Sequence, residues 1–162
     1  MNRIEQRLDD LYEDFFRMDC LYGDFAKRYS ESYHSLSVLY LLGESPDGMS
    51  QKQLAAKLYL PKQTVGSIVA SLERKGLATH RQDESDRRSK LHVLTPAGKR
   101  RSDTIMGELR AIELACVERI GEADMARAHE ISKRYLELFK QKLEANEAGE
   151  TNNDDEPDAR GH

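Results

Sequence analysis

The sequence lacks several features that would place it in familiar protein classes. It has no tryptophan and only two cysteines, Cys20 and Cys116, which are too few and too far apart for a disulfide framework. No run approaches the roughly 18 consecutive apolar residues that a membrane span requires. The charged N-terminus carries no apolar export signal. We therefore expect a cytoplasmic protein with no membrane partner.

Catalytic motifs are missing as well. The chain has no G-x-S-x-G, no H-E-x-x-H and no phosphate-binding glycine loop, which are the signatures of common hydrolase, metalloprotease and nucleotide sites. Paired cysteines or histidines with metal-ligand spacing are also absent. The sequence therefore predicts no enzyme, no cofactor and no metal.

Positive charge is concentrated in one third of the chain. The net charge is −4, yet residues 50–101 hold 12 Lys and Arg against 4 Asp and Glu, a local charge of +8 that leaves −12 for the rest. Such local density, more than the total charge, favours binding to a polyanion. An ordinary solvated surface explains the charge equally well until the positions of the cations are considered.

Apolar periodicity predicts long helices towards both ends of the chain. Residues 4–29 repeat apolar side chains at alternating spacings of four and three, which is typical of a helix with one buried seam, against the rest of the chain or against a partner. This seam is Ile4, Leu8, Leu11, Phe15, Met18, Tyr22, Phe25 and Tyr29. After a polar turn at residues 30–35, residues 36–42 are apolar nearly all round and predict a helix central to the core.

Two short helices with a tight link follow. Ser50 and Gln53 form an S-x-x-Q capping box, and the helix that they start presents Leu54, Ala55 and Leu58 inward. Pro61 suits the first position of the next helix, which runs to Lys75. The left-handed cap then falls on Gly76. Val65, Val69 and Leu72 form the inward stripe of this second helix. The pair is a helix-turn-helix.

The periodicity then changes to that of a hairpin. Residues 78–82 and 91–95 suit short strands, and the charged residues 83–90 between them suit its tip. His80 and His92 would face each other across the hairpin if the register permits. With Asp83 nearby, a metal site is the minor alternative to a hairpin without metal. Thr95 and Pro96 start another helix, whose stripe includes Ile105 and Cys116, the latter expected in the core.

A break at Gly121 and a helix over about residues 122–144 complete the predicted order. The fold class is mostly α with a small β-hairpin: a winged helix-turn-helix domain flanked by long dimerising terminal helices. We predict an N-terminal dimerisation helix (1–35), a DNA-binding domain (36–100), C-terminal dimerisation helices (101–147) and a disordered acidic tail (148–162). The tail has no apolar anchor.

The motifs together resemble the MarR (multiple antibiotic resistance regulator) family. They are the capped helix, Leu72-Glu73-Arg74-Lys75-Gly76-Leu77, the tip Asp86-Arg87-Arg88-Ser89, and Leu94-Thr95-Pro96-Ala97-Gly98. The resemblance extends over residues 4–143. Two positions differ from the family pattern. Ser85 replaces the first arginine of the family's D-x-R-D-x-R wing, and Ser67 stands where the exposed face of the family's recognition helix often has an arginine.

The resemblance implies a homodimeric transcription regulator. The first, fifth and sixth helices of two subunits would interleave, and the expected interface residues are Ile4, Leu8, Leu11, Phe15, Tyr135, Phe139 and Leu143. The regulator, expected to be a repressor, would bind a pseudo-palindromic operator. An anionic lipophile or an oxidant would release the DNA.

Candidate DNA contacts lie on the second helix of the pair and on the hairpin tip. Residues 61–75 should enter the major groove, where Gln63 can pair with adenine; the resemblance nominates Arg88 for the minor groove, braced by Asp86. The full set is Lys62, Gln63, Thr64, Gly66, Ser67, Ser71, Asp86, Arg87, Arg88 and Lys90. Small residues on a bare helix surface, and an exposed Asp86–Arg88 ion pair, are the competing interpretations.

Effector binding is a further expectation. Tyr22, Tyr33, His34 and Tyr40 could line a small-molecule pocket, or could be core aromatics. Cys20 could sense oxidants, although Asp19 beside it disfavours the reactive thiolate. The alternative function is a winged-helix protein-interaction module without operator binding, which should depend less steeply on salt than DNA binding does.

Overall fold

The computed structural model describes residues 2–82 and 89–151, and side chains as far as residue 146. Within these residues there are six helices and three strands in chain order. They are α1 (Arg3–Lys27), α2 (Tyr33–Gly43), β1 (Met49–Ser50), α3 (Gln51–Leu58), α4 (Lys62–Arg74), β2 (Ala78–Gln82), β3 (Lys90–Leu94), α5 (Pro96–Ile120) and α6 (Glu122–Thr151). The predicted fold class, mostly α with a small hairpin, is confirmed, while the dimerising role of the terminal helices stays a prediction.

The three strands form one antiparallel sheet in the order β1-β3-β2. Across the hairpin, Ala78 pairs with Leu94, His80 with His92 and Gln82 with Lys90. Strand β1 was not predicted, since two residues are too short to show a period; it pairs Met49 with His92 on the other side of β3. The hairpin is therefore anchored on one edge to the segment that starts α3.

The chain divides into two compact units, residues 1–111 and 112–162. All the buried apolar side chains of the described residues lie in the first unit, where α2 packs against α1, α3, α4 and β3. The predicted central role of residues 36–42 is confirmed, because Leu36, Val38, Leu39 and Leu42 are buried. The inward stripe of α4 is buried too, at Val65, Val69 and Leu72.

Two helix starts and one helix end are as the local sequence motifs predict. Ser50 Oγ accepts a hydrogen bond from Gln53 N, and Gln53 Oε1 accepts one from Ser50 N, as the capping box predicts. Thr95 Oγ1 accepts from Gly98 N and so caps α5. Gly76 has a φ of +69° and follows the end of α4, in the left-handed region that glycine adopts without strain.

Several boundaries differ from the prediction. Helix α1 ends at Lys27 rather than Tyr29, α2 begins at Tyr33 inside the expected turn, and Pro61 is the N-cap of α4 rather than its first residue. Helix α6 continues to Thr151, so residues 148–151 of the predicted tail are helical. Residues 152–162 lie outside the described residues.

The second unit carries no buried side chain among residues 112–146. Cys116, expected in the core, is exposed, because the stripe that it shares with Ile112 and Ile120 has no cover within this unit. No described helix combines the length and the apolar character that crossing a membrane requires. The predicted domain limits stay a prediction.

Candidate nucleic-acid interface

The turn between α3 and α4 is held by backbone geometry. Tyr59 takes the left-handed conformation (φ 53°, ψ 36°) at the end of α3, and Leu60 N donates to Ala55 O at 3.1 Å. A non-glycine residue in this region is uncommon and marks a tight turn. Because this turn redirects the chain, α4 follows α3 as the second helix of a helix-turn-helix.

Helix α4 is two-sided. Its apolar stripe faces the core, while Lys62, Gln63, Thr64 and Ser67 are exposed and Ser71 is half-buried. The Ser67 hydroxyl donates to Gln63 O at 3.1 Å, a weak bond within the helix that a better acceptor can replace. The structure thus places the predicted α4 residues on one helix, with Lys62, Gln63 and Thr64 in its first turn and Ser71 in its third.

Gly66 has a structural role that the sequence did not suggest. A β-carbon on Gly66 would lie 2.5 Å from Gln51 Nε2, and this nitrogen donates to Lys62 O at 2.6 Å. The missing side chain therefore lets α3 tie down the first turn of α4. Gly66 is also among the candidate DNA contacts, and that contact stays a prediction.

The base of the hairpin is partly described and its tip is not. Lys90 is exposed at the start of β3, and Arg81 Nη2 donates to Asp47 O at 2.8 Å, which joins β2 to the loop before β1. Asp86, Arg87 and Arg88, together with Asp83 and Ser85, lie outside the described residues.

Two histidines and a glutamate meet where the hairpin contacts α4. Glu73 Oε1 lies 2.9 Å from His80 Nδ1 and 3.3 Å from His92 Nδ1, and the two rings are 6.1 Å apart. Burial lowers the pKa of His92 and outweighs the opposing attraction of Glu73. Burial by itself would raise the pKa of Glu73, but the hydrogen bonds to the two histidines outweigh it and lower that pKa.

The sequence identified the histidine pair but missed Glu73. The register that was left open is now settled, because His80 and His92 are direct partners across the hairpin. Glu73 precedes His80 by seven residues and belongs to a helix. No local pattern signals that its carboxylate reaches both rings, because the contact depends on how α4 packs against β2.

Lys99 and Arg101, two of the cations at the start of α5, make contacts within the chain. Lys99 pairs with Asp103, and Arg101 Nη2 donates to Tyr29 O at 2.5 Å. Farther along α5, Glu108 accepts from Arg28 Nη2 at 2.6 Å and from the hydroxyl of Tyr29. These bonds tie the end of α1 to α5. Arg101 is therefore engaged by the backbone of Tyr29.

The predicted pocket residues are partly assembled. The Tyr22 and Tyr33 rings lie 5.0 Å apart, and those of Tyr33 and His34 lie 6.0 Å apart. Tyr40 is exposed. A concavity of about 270 Å³ lies instead beside Tyr29, Arg100, Arg101, Thr104 and Ile105, and none of the four predicted residues lines it.

The predicted dimer residues are apolar and largely uncovered. Ile4 is 76% exposed, Phe15 50% and Phe139 52%; Leu8, Tyr135 and Leu143 are exposed, and Leu11 is half-buried. Tyr135 and Phe139 stack with centroids 6.1 Å apart. Apolar side chains that recur at helical spacing on a surface mark an interaction site.

Two further residues stand out by exposure. The side chain of Tyr59 is 94% exposed at the helix-turn-helix turn, and no sequence pattern singled it out. Cys20 is exposed, as a sensing thiol would need to be; the redox role that the neighbouring Asp19 disfavours stays untested.

A sequence model of the MarR family matches residues 32–89. A comparison with proteins of curated function finds no match. Many solved structures are similar, and those described below are 22–24% identical, so they bear on the fold alone.

Three of the similar structures illustrate the fold. NMB1585, a MarR family regulator from Neisseria meningitidis, has a TM-score of 0.75 at 24% identity and covers 90% of this chain and 99% of its own. MepR from S. aureus, in complex with DNA, has a TM-score of 0.68 at 22% identity and covers 78% of this chain and 97% of its own. CouR from Rhodococcus jostii RHA1, bound to p-coumaroyl-CoA, has a TM-score of 0.69 at 24% identity and covers 80% of this chain and 92% of its own.

The family is one of non-enzymatic, DNA-binding transcription regulators. The predicted resemblance is confirmed: residues 32–89 match a sequence model of the MarR family, and the chain has the winged-helix fold of MarR family regulators of known structure.

Proposed function

We propose that this protein is a homodimeric, cytoplasmic repressor that binds a pseudo-palindromic operator and releases it when a small molecule binds. The observation that carries the proposal is the two-sided α4. One side is buried in the core, and the other presents Lys62, Gln63 and Thr64 to solvent. A helix in this position of a helix-turn-helix enters the major groove.

Each predicted contact has a chemical task. Gln63 can bond adenine through both ends of its amide, and Thr64, Ser67 and Ser71 can bond base edges or phosphates. Lys62 and Lys90 supply charge to the phosphate backbone. Tyr59, exposed at the turn, adds a hydroxyl that can donate to a phosphate.

The hairpin tip completes the proposed interface. Arg88 would insert into the minor groove, where a narrow groove has an enhanced negative potential. Asp86 would orient its guanidinium, and Arg87 would contact phosphate. The local charge of +8 over residues 50–101 supports this division of tasks.

A second copy of the chain is the proposed occupant of the exposed apolar faces. The α1 face at Ile4 and Phe15 and the α6 face at Tyr135, Phe139 and Leu143 are too apolar to stay in water without cost. Dimerisation would cover them, and it would place two α4 helices on one duplex. This arrangement matches a two-fold symmetric operator.

An effector site is supported by chemistry rather than by a ligand. CouR, a protein of the same fold, is bound to p-coumaroyl-CoA, so this fold accepts a small molecule. Tyr22, Tyr33 and His34 form an aromatic cluster between α1 and α2. A compound that raises the melting temperature of the wild type but not of Tyr33→Ala would identify this cluster as the binding site.

The test is a fluorescence anisotropy titration with DNA fragments from upstream of the chain's own coding region. Binding should weaken linearly in log affinity against log salt, because each phosphate contact releases a counterion. Gln63→Ala should lower the affinity for the preferred fragment about 5- to 150-fold, the equivalent of about 1–3 kcal/mol. Lys133→Ala, which removes an exposed lysine on α6, is the matched control and should bind like the wild type.

The competing function is a protein-interaction module. A protein partner would give a shallow salt dependence, and Gln63→Ala would then bind DNA like the wild type. Either result would contradict the proposal.

A further inference from the structure

The cluster of Glu73, His80 and His92 has a metal-ligand chemistry that DNA binding does not use. One ligand atom from each side chain lies within 4.8 Å of the other two. Glu73 Oε1 is already 2.9 Å and 3.3 Å from the two histidine nitrogens. Tetrahedral Zn²⁺ with bonds of about 2.0–2.1 Å sets its ligand atoms about 3.3–3.4 Å apart. The distances from the carboxylate oxygen to both nitrogens therefore nearly match those around a bound ion.

The backbone holds the three side chains in place from independent elements. His80 and His92 are direct partners on β2 and β3, and side chains at directly opposite positions point to the same face of a sheet. Glu73 lies near the end of α4 and faces both. Strand β1 pairs with His92 on the other edge of β3, which fixes β3 between two neighbours. Little rearrangement is needed to draw the ligand atoms together.

One side of the cluster is open to solvent. The His80 side chain is 40% exposed and that of Glu73 is 29% exposed, while that of His92 is 10% exposed. Three protein ligands with an accessible fourth position form an open site, in which water completes the coordination. An ion can therefore enter without unfolding of the hairpin.

We propose that Glu73, His80 and His92 bind a divalent transition-metal ion, with Zn²⁺ as the best-fitting candidate, and that this ion joins α4 to the hairpin. Two imidazoles with one carboxylate suit Zn²⁺ and its transition-metal neighbours, whereas Mg²⁺ and Ca²⁺ prefer oxygen ligands alone. The sequence left a metal site at the two histidines as a minor alternative and missed Glu73, because the three ligands come from separate elements. Asp83, which the sequence placed near the histidines, lies outside the described residues.

The ion would join the two elements to which the DNA contacts are assigned. Glu73 is on the helix that carries Gln63, and the histidines flank the tip that carries Arg88. A ligand that binds the folded state alone stabilises that state as its concentration rises above its dissociation constant. The winged unit should therefore melt at a higher temperature with Zn²⁺ than without it. Metal binding is measured in the absence of DNA, so this proposal and the DNA-binding proposal can fail separately.

The first experiment is a Zn²⁺ titration of the full-length chain without an affinity tag, in competition with a chromogenic chelator. We expect one Zn²⁺ per chain in the wild type. His80→Ala and Glu73→Gln remove ligands at solvent-accessible positions. Each should weaken binding at least about 100-fold, since loss of an outer-shell partner alone costs about 10–100-fold. His129→Ala, at an exposed histidine of α6, is the matched control and should bind like the wild type.

Two readouts separate this site from adventitious binding. Zn²⁺ should raise the melting temperature of the wild type and of His129→Ala but not that of His80→Ala. With Co²⁺, the visible spectrum should be that of a tetrahedral ion with nitrogen and oxygen ligands. Unchanged Zn²⁺ affinity in His80→Ala and Glu73→Gln, no binding at micromolar Zn²⁺, or the charge-transfer band of cysteine ligation would overturn the proposal.

Discussion

Replacing Gly98 with alanine should break the junction between the hairpin and α5. A β-carbon on Gly98 would lie 1.8 Å from Leu77 O and 2.7 Å from Leu77 C. Both are backbone atoms, so no side-chain rotation relieves the overlap. An ordinary contact needs at least 3.4 Å, and the start of α5 must therefore move away from the end of α4 by about 1.6 Å or more.

The size of the effect follows from the bonds at this junction. Thr95 N donates to Leu77 O at 3.0 Å, Thr95 Oγ1 donates to Gly76 O at 2.7 Å, and Gly98 N donates to Thr95 Oγ1 at 3.0 Å. Each is worth about 1 kcal/mol, so displacement of the helix costs about 3 kcal/mol. The helix propensity of alanine returns at most about 1 kcal/mol. The net loss of about 2 kcal/mol or more should lower the melting temperature by at least about 4–8 °C.

The measurement is thermal unfolding followed by circular dichroism at 222 nm, with all samples at one protein concentration. Gly107→Ala, on the same helix, is the matched control, because a β-carbon on Gly107 has no neighbour within 4 Å. It should leave the stability unchanged or raise it by up to about 1 kcal/mol. If Gly98→Ala melts within about 2 °C of the wild type, the close packing at Leu77 is wrong.

Three further substitutions test the core, the exposed apolar face and a titrating bond. Leu54→Ala empties a fully buried position and should cost about 2–5 kcal/mol in urea unfolding; a cost below about 1 kcal/mol would contradict the packing. Phe139→Glu should give a folded monomer in sedimentation equilibrium at micromolar concentration, and a persistent dimer would count against this face. The hydrogen bond to Glu108 raises the pKa of Tyr29 above 10.0. This bond therefore stabilises the folded state below about pH 10, and its contribution is lost as the pH rises through the raised pKa of Tyr29. Tyr29→Phe should remove this alkaline loss of unfolding free energy, and an identical pH profile would refute the bond.

Short-range signals carried most of the fold prediction. The capping box at Ser50, the left-handed Gly76 and the cap at Thr95 each depend on residues within four positions of one another, so the sequence displays them directly. The spacing of Val65, Val69 and Leu72 likewise defines the buried side of α4 without knowledge of its neighbours.

Long-range contacts explain what was missed. Strand β1 exists because Met49 pairs with His92, and two residues have no period to detect. The contact of Glu73 with the two histidines depends on how α4 packs against the hairpin. The contact of Gly66 with Gln51 depends on how α3 packs against α4. Cys116 was placed in the core because its apolar stripe resembles a buried one, yet the structure exposes it. A stripe shows that a surface is apolar without showing what covers it.

The central claim is that two copies of α4 read one duplex. Hydroxyl-radical footprinting of the preferred upstream fragment at low salt tests it most directly. The proposal predicts two protected half-sites whose centres lie one helical turn apart, about 10–10.5 base pairs or a multiple of that distance, and loss of both in Gln63→Ala. A single unpaired protected stretch, or no protection on any fragment, would contradict it.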